Sequence, residues 1–168
     1  MRRARLRFAA IFVVVGGVLM ALYSFPYAGH GIREDGFVAF LSFYARLTGA
    51  VLRLFDGGVH VVGTDIVGRT TLTVAKNCDA MDINILFAAA VVASPAPWRR
   101  RALGLLVGLP ALVVVNVVRI ATLYFVELRA PRAFEVVHAE VWPLALVAIA
   151  VAAFLSWSRW AQPAAAEA

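Results

Sequence analysis

The sequence predicts an all-α polytopic membrane protein: about four transmembrane helices, an interfacial amphipathic helix and a short outer β-hairpin, forming a single membrane domain over residues 1–168. Three observations predict it. Of 168 residues, 62% are hydrophobic and only 15% are charged, and the mean hydropathy of +0.84 is too high for a soluble domain of this length. The apolar residues collect into runs near the ~20 residues that a helix needs to cross a bilayer. The basic residues collect at the ends of those runs rather than over one polar face, so the net charge of +6 speaks for membrane topology and not for nucleic acid.

The first span, about 8–25, follows Arg2, Arg3, Arg5 and Arg7. A signal peptide also begins with a basic stretch, but its apolar core is shorter than these 18 residues, and Tyr23-Ser24-Phe25-Pro26 offers no small-x-small cleavage site. Residues 36–56 are apolar at their start but carry Arg46 and Arg53 seven positions apart on one helical face. That pattern fits an amphipathic helix lying in the outer interface. Residues 57–76 change character, with short β-branched runs separated by Gly57-Gly58, Gly63-Thr64-Asp65 and Gly68-Arg69. They read as an outer β-hairpin or as a connecting loop with some strand character. A hairpin there can cap a site or pair with an extended peptide.

Three further spans follow, at about 79–97, 102–126 and 138–157. The first of these opens on Asp79 and Asp82, which suit the positive end of a helix dipole, and closes on Pro95 and Pro97. The second carries Gly104, Gly108 and Pro110, which permit close packing or a kink, and one charge, Arg119. The tail beyond Trp160 is rich in alanine and reads as disordered. Four spans put the N-terminal arginines, Arg99-Arg100-Arg101 and Arg159 on one side, the cytoplasmic one by the positive-inside rule. The expectation is a multi-pass protein of a bacterial inner membrane with both termini cytoplasmic.

This topology gathers Cys78, Arg119 and His138 at the outer leaflet from three different spans. An arginine within a span costs about 2.5–3.5 kcal/mol on insertion scales, so Arg119 is a functional candidate. It sits about seven residues, roughly 10 Å, from the outer end of its helix, within snorkelling reach of the interface. Helical spacing adds Asp82 four after Cys78, Asn116 three before Arg119, and Glu135 and Trp142 flanking His138 at minus three and plus four. A thiol near a cation and a helix N-terminus is a nucleophile. A histidine can take its proton and return it to a leaving amine, and an arginine can stabilise an oxyanion. Together they suit acyl transfer through a thioester. Each residue also has a plainer reading, in which Cys78 fills space, His138 is merely interfacial, and Arg119 pairs structurally with Asp82 or Glu135. His30 and His60 lie in the same outer region and are not taken as catalytic. One cysteine excludes an intrachain disulfide. No spacing suggests a zinc site or a phosphate loop, so neither metal nor nucleotide cofactor is expected.

Cys78, the run Asn116-Val117-Val118-Arg119-Ile120, and His138 before a final span resemble the exosortase and archaeosortase family. The segment Ser94-Pro95-Ala96-Pro97-Trp98-Arg99-Arg100-Arg101 and the small size look most like its exosortase H subgroup. The resemblance covers about residues 74–157. It implies a Cys, Arg and His triad on membrane helices. Its implied activity is a cysteine transpeptidase that cleaves secreted proteins at a C-terminal signal made of a short motif, a transmembrane helix and a basic cluster. The new carboxyl end, held as a thioester on Cys78, passes to an acceptor that the sequence does not identify, beside membrane lipid. The implied motif is of the Ile-Pro-Thr-Leu type.

One departure stands out: the family commonly has a small residue and then glycine directly after the cysteine, whereas this chain has Asp79 and Ala80. Loss of the glycine bears on the turn, and Asp79 places a negative charge beside the thiol. Two other functions are compatible with the same residues. One is an intramembrane cysteine protease that hydrolyses its thioester with water. The other is a non-catalytic subunit or transporter in which Arg119 is structural; against transport, the two halves show no repeat.

Overall fold

A computed structural model describes residues 2–24 and 31–161. The residues after Trp160 that read as a disordered tail lie, from 162 on, outside the described residues, as does His30. The protein is an all-α membrane protein with one small sheet. Its helices are α1 (Arg2–Ser24), α2 (Gly31–Leu52), α3 (Met81–Ala93), α4 (Trp98–Arg129), a short turn α5 (Phe134–Val136) and α6 (Trp142–Ala161). A five-residue π-helix, Val137–Val141, joins α5 to α6.

Among the described residues, three helical stretches are long and apolar enough to cross a bilayer: Arg5–Ser24, Trp98–Arg129 and Pro131–Ala161. The expected span over 79–97 is realised as the 13-residue α3, about 20 Å long against a hydrocarbon core of about 30 Å. Its length is limited at both ends. Ala80 has a positive φ of 53° just before it, and the Pro95 and Pro97 segment separates it from α4.

The chain forms two compact units, and α4 and α6 each contribute a part to both. The first contains α1, α3, the opening half of α4 and most of α6. Here α1 packs on α3, and Phe87, Val91, Leu112 and Ala150 form a core against which Leu105, Phe154 and Trp157 pack. Gly108 leaves room for the Phe87 ring, and Gly104 for the Trp157 indole, which donates its Nε1–H to the Arg100 carbonyl at 3.2 Å. Two residues of the three-arginine run cap helix ends in this unit. Arg101 donates to the carbonyls of Ala96 (2.7 Å) and Val92 (3.1 Å), and Arg100 to that of Ala161 (2.9 Å). Cations are favoured at those C-termini by the helix dipole and by carbonyls that lack helical partners.

The second unit holds α2, the sheet, the second half of α4 and the residues up to Ala145. Where the sequence predicts a two-stranded hairpin, residues 60–73 form three antiparallel strands, β1 (His60–Val62), β2 (Asp65–Val67) and β3 (Thr71–Thr73), in the order β1-β2-β3. Gly63, at φ +60°, makes the first tight turn. Ile66 pairs with Val61 and Leu72, and Ile66 and Leu72 are buried while the flanking Thr71 and Thr73 are exposed, the alternation of a one-sided sheet. The first two strands pack on α2. Its inner face is Leu41, Tyr44, Ala45, Thr48 and Leu52, with Arg46 on the exposed side. At Gly49 a side chain would collide with Val61, so the glycine sets how closely helix and sheet approach.

Candidate active site

Cys78 closes a 3₁₀ turn, Lys76–Cys78, that follows β3 directly. It therefore precedes α3 and does not lie on it. Its backbone is fixed twice, by its own N–H on the Ala75 carbonyl at 2.8 Å and by the Asn116 side chain, whose Nδ2 donates to the Cys78 carbonyl at 2.7 Å. Asn116 is wholly buried in α4, three residues before Arg119, so the two share one face of the helix.

The Cys78 sulfur lies 3.7 Å from Nε2 of His138, within hydrogen-bond reach for a sulfur atom. His138 belongs to the π-helix, and its ring stacks on Phe134 with centroids 5.5 Å apart and 21° between planes. Wider π turns, with i→i+5 bonding, recur at functional sites because they re-aim side chains. The buried Arg119 guanidinium interacts electrostatically with both Cys78 and Asp79, and His138 with Arg119 and Glu135. Thiol and imidazole are thus in direct reach of each other, and the guanidinium is in electrostatic reach of both, within the second unit.

Asn116 stands with the trio, and Glu135 reaches His138 only through its charge, from an exposed position. Asp82 is exposed in the first turn of α3, in the other unit. The i to i+4 relationship expected between Cys78 and Asp82 fails because Cys78 ends a 3₁₀ turn and Asp79 and Ala80 lie outside any helix. The acid buried at this site is Asp79, 3% exposed. Trp142 follows the π-helix, so the spacing of four from His138 does not stack it on that ring; among the described residues no hydrogen bond or ring contact joins it to the trio. His60 is exposed on β1, its Nδ1 near the Gly58 carbonyl.

Sequence reasoning missed Tyr44. Buried on α2, it interacts with Asp79 and shares a side-chain hydrogen bond with Asn116. Burial, and secondarily the negative charge of Asp79, raise its phenol above the usual range, while the Asn116 bond opposes the shift. The available signal was the run Leu41, Tyr44, Ala45, Thr48 and Leu52, whose helical spacing marks an inward face carrying a polar tip.

Among the described residues, no group of three or more His, Cys, Asp or Glu side chains is arranged to hold a metal ion. The arrangement suits covalent chemistry on sulfur, with a proton carrier and a fixed cation at hand.

The family model for transmembrane exosortase (Exosortase_EpsH) matches residues 17–155, a stretch containing Cys78, Asn116, Arg119 and His138. No match is found among curated proteins or among solved structures. By that match over most of its length, the chain belongs to the transmembrane exosortase family.

Proposed function

We propose that the protein is a membrane-embedded cysteine transpeptidase that removes the C-terminal sorting signal of secreted proteins through a thioester on Cys78. The observation that carries this reading is the 3.7 Å approach of the Cys78 sulfur to Nε2 of His138, with Arg119 in electrostatic reach of both.

In the first half-reaction, His138 accepts the thiol proton as the sulfur attacks the carbonyl carbon of the scissile peptide bond. The carbonyl oxygen becomes an oxyanion, which the Arg119 guanidinium stabilises in a site shielded from water. Collapse of that intermediate breaks the C–N bond, and His138 returns its proton to the departing amine. The thioester is then attacked by an acceptor nucleophile, His138 taking the acceptor's proton and returning it to the leaving sulfur. Asn116 acts on none of these atoms; it holds the Cys78 backbone, and so the sulfur, in place.

Substrates of this reading are secreted proteins ending in a short motif, a transmembrane helix and a basic cluster. The site faces the outer side of a bacterial inner membrane, with both termini cytoplasmic. For the basic segments to share the inner side, the chain must return inward between α1 and α4.

Co-expression with a secreted substrate bearing such a signal tests the assignment. Shortening of the substrate is expected with the wild-type chain and is expected to disappear with Cys78→Ala. Equal processing by Cys78→Ala contradicts the mechanism. A conjugated product marks transfer, and a free carboxylate marks hydrolysis in its place.

A further inference from the structure

A cleft of mixed character lies within the same unit, lined by Phe55, Asp56, Arg69, Phe125, Leu128 and Arg129, with a volume of about 410 Å³. None of these residues takes part in the chemistry above. Phe55 and Phe125 meet edge to face, with centroids 6.0 Å apart and 88° between planes. Arg69 is tied at two points: its backbone N–H donates to the Tyr124 hydroxyl at 3.0 Å, and its Nε pairs with Asp56 at 3.5 Å. Engagement through Nε leaves the two terminal nitrogens of the fork available. The Arg129 guanidinium carbon lies over the Phe125 ring, 5.7 Å from its centroid, a cation–π contact, and the residue is exposed.

We propose that this cleft binds the phosphodiester headgroup of an anionic membrane lipid between Arg69 and Arg129. The charge fits: two guanidiniums and the Asp56 carboxylate leave one net positive charge, and a phosphodiester carries one negative charge. The geometry fits as well, because guanidinium forks match phosphate oxygens in pairs. The surroundings call for an amphiphile rather than a free anion. Phe125 and Leu128 give the cleft an apolar wall, and beside it Leu54 and Phe55 are 80% and 72% exposed, as expected of side chains that enter the acyl boundary. Arg129 ends a 32-residue apolar helix, about 48 Å long, which is enough to bring both of its ends into the headgroup regions. Basic residues at that depth are drawn to anionic lipid.

The test is titration of the full-length protein in neutral detergent with dihexanoyl phosphatidylglycerol, dihexanoyl glycerol, glycerol phosphate or inorganic phosphate, followed by calorimetry and phosphorus NMR. Saturable binding of the phosphatidylglycerol is expected, weakened about tenfold or more by Arg129→Gln and by Arg69→Gln. Arg129 is exposed at a helix end, so its variant tests the site without endangering the fold. Binding to the wild type as tight for dihexanoyl glycerol, glycerol phosphate or inorganic phosphate as for the lipid overturns the assignment. So does phosphatidylglycerol affinity unchanged in both variants. The readout is independent of peptide cleavage, so it stands or falls apart from the catalytic proposal.

Discussion

The carbonyl of Cys78 accepts a 2.7 Å hydrogen bond from the side chain of Asn116, 38 residues further along the chain. This bond holds the turn that carries the thiol against the helix that carries Arg119. Asn116→Ala should leave that carbonyl without its donor and cost about 1–3 kcal/mol of stability. Unfolding followed in detergent measures the loss. Peptide cleavage should fall alongside, because the sulfur is no longer fixed; unchanged stability and cleavage would show that the bond does not matter.

Ala80 occupies the left-handed region, with φ at 53°, where an L side chain is strained by about 1–2 kcal/mol and glycine is not. The glycine common at this place in the family answers the same backbone requirement, so the chain keeps the turn and bears the strain. Ala80→Gly should stabilise the protein by about 0.5–1 kcal/mol once the greater freedom of glycine in the unfolded chain is subtracted. A fall in melting temperature would contradict this account of the turn.

Asp79 sets a buried negative charge beside the thiol, opposite Arg119. Asp79→Asn keeps the shape and removes the charge. Alkylation of Cys78 by iodoacetamide at neutral pH should then speed up by about threefold or more, while the buried guanidinium, deprived of a counter-charge, lowers global stability. Slower alkylation in a folded variant would assign Asp79 a different role.

Tyr44 gives a signed pH effect. Its phenol is raised above the ordinary value of about 10, first by burial and then by Asp79. Below that pH it is neutral in both folded and unfolded chains; above it the unfolded chain ionises first, so stability is lost as pH climbs through the folded value. Tyr44→Phe should therefore be less stable than the wild type at pH 7 by about 0.5–1.5 kcal/mol, with the deficit shrinking above pH ~10. A constant deficit up to pH 11 would remove Tyr44 from this charge network. Denaturation measured across that range decides.

The membrane class and the stretches containing α1, α4 and α6 were legible because long apolar runs bounded by arginine have few other solutions. Cys78, Asn116, Arg119 and His138 were legible as residues worth watching, since polar groups in apolar runs stand out. Their local frame was less so. Extending helical spacing through residues 78–82 selected Asp82, whereas a 3₁₀ turn and a left-handed Ala80 interrupt the helix there and leave Asp79 at the site. The same rule failed from His138 to Trp142 across the π-helix, a feature with no clear mark in sequence. Tyr44 was obscured because residues 36–56 were read for their exposed arginines and not for their buried face. The β-branched runs of the sheet were legible, the one around Leu72 among them, but runs of about three residues do not fix by pattern alone whether they pair as two strands or three.

The central claim is a covalent acyl intermediate on Cys78, and trapping it is the most direct measurement. The protein is incubated with a substrate carrying a tripartite C-terminal signal, quenched in acid, and examined by mass spectrometry for an adduct on the Cys78 peptide. The account predicts a hydroxylamine-sensitive adduct that is absent in Cys78→Ala and strongly reduced in Arg119→Ala and His138→Ala. Substrate cleaved at an undiminished rate by Cys78→Ala would contradict it.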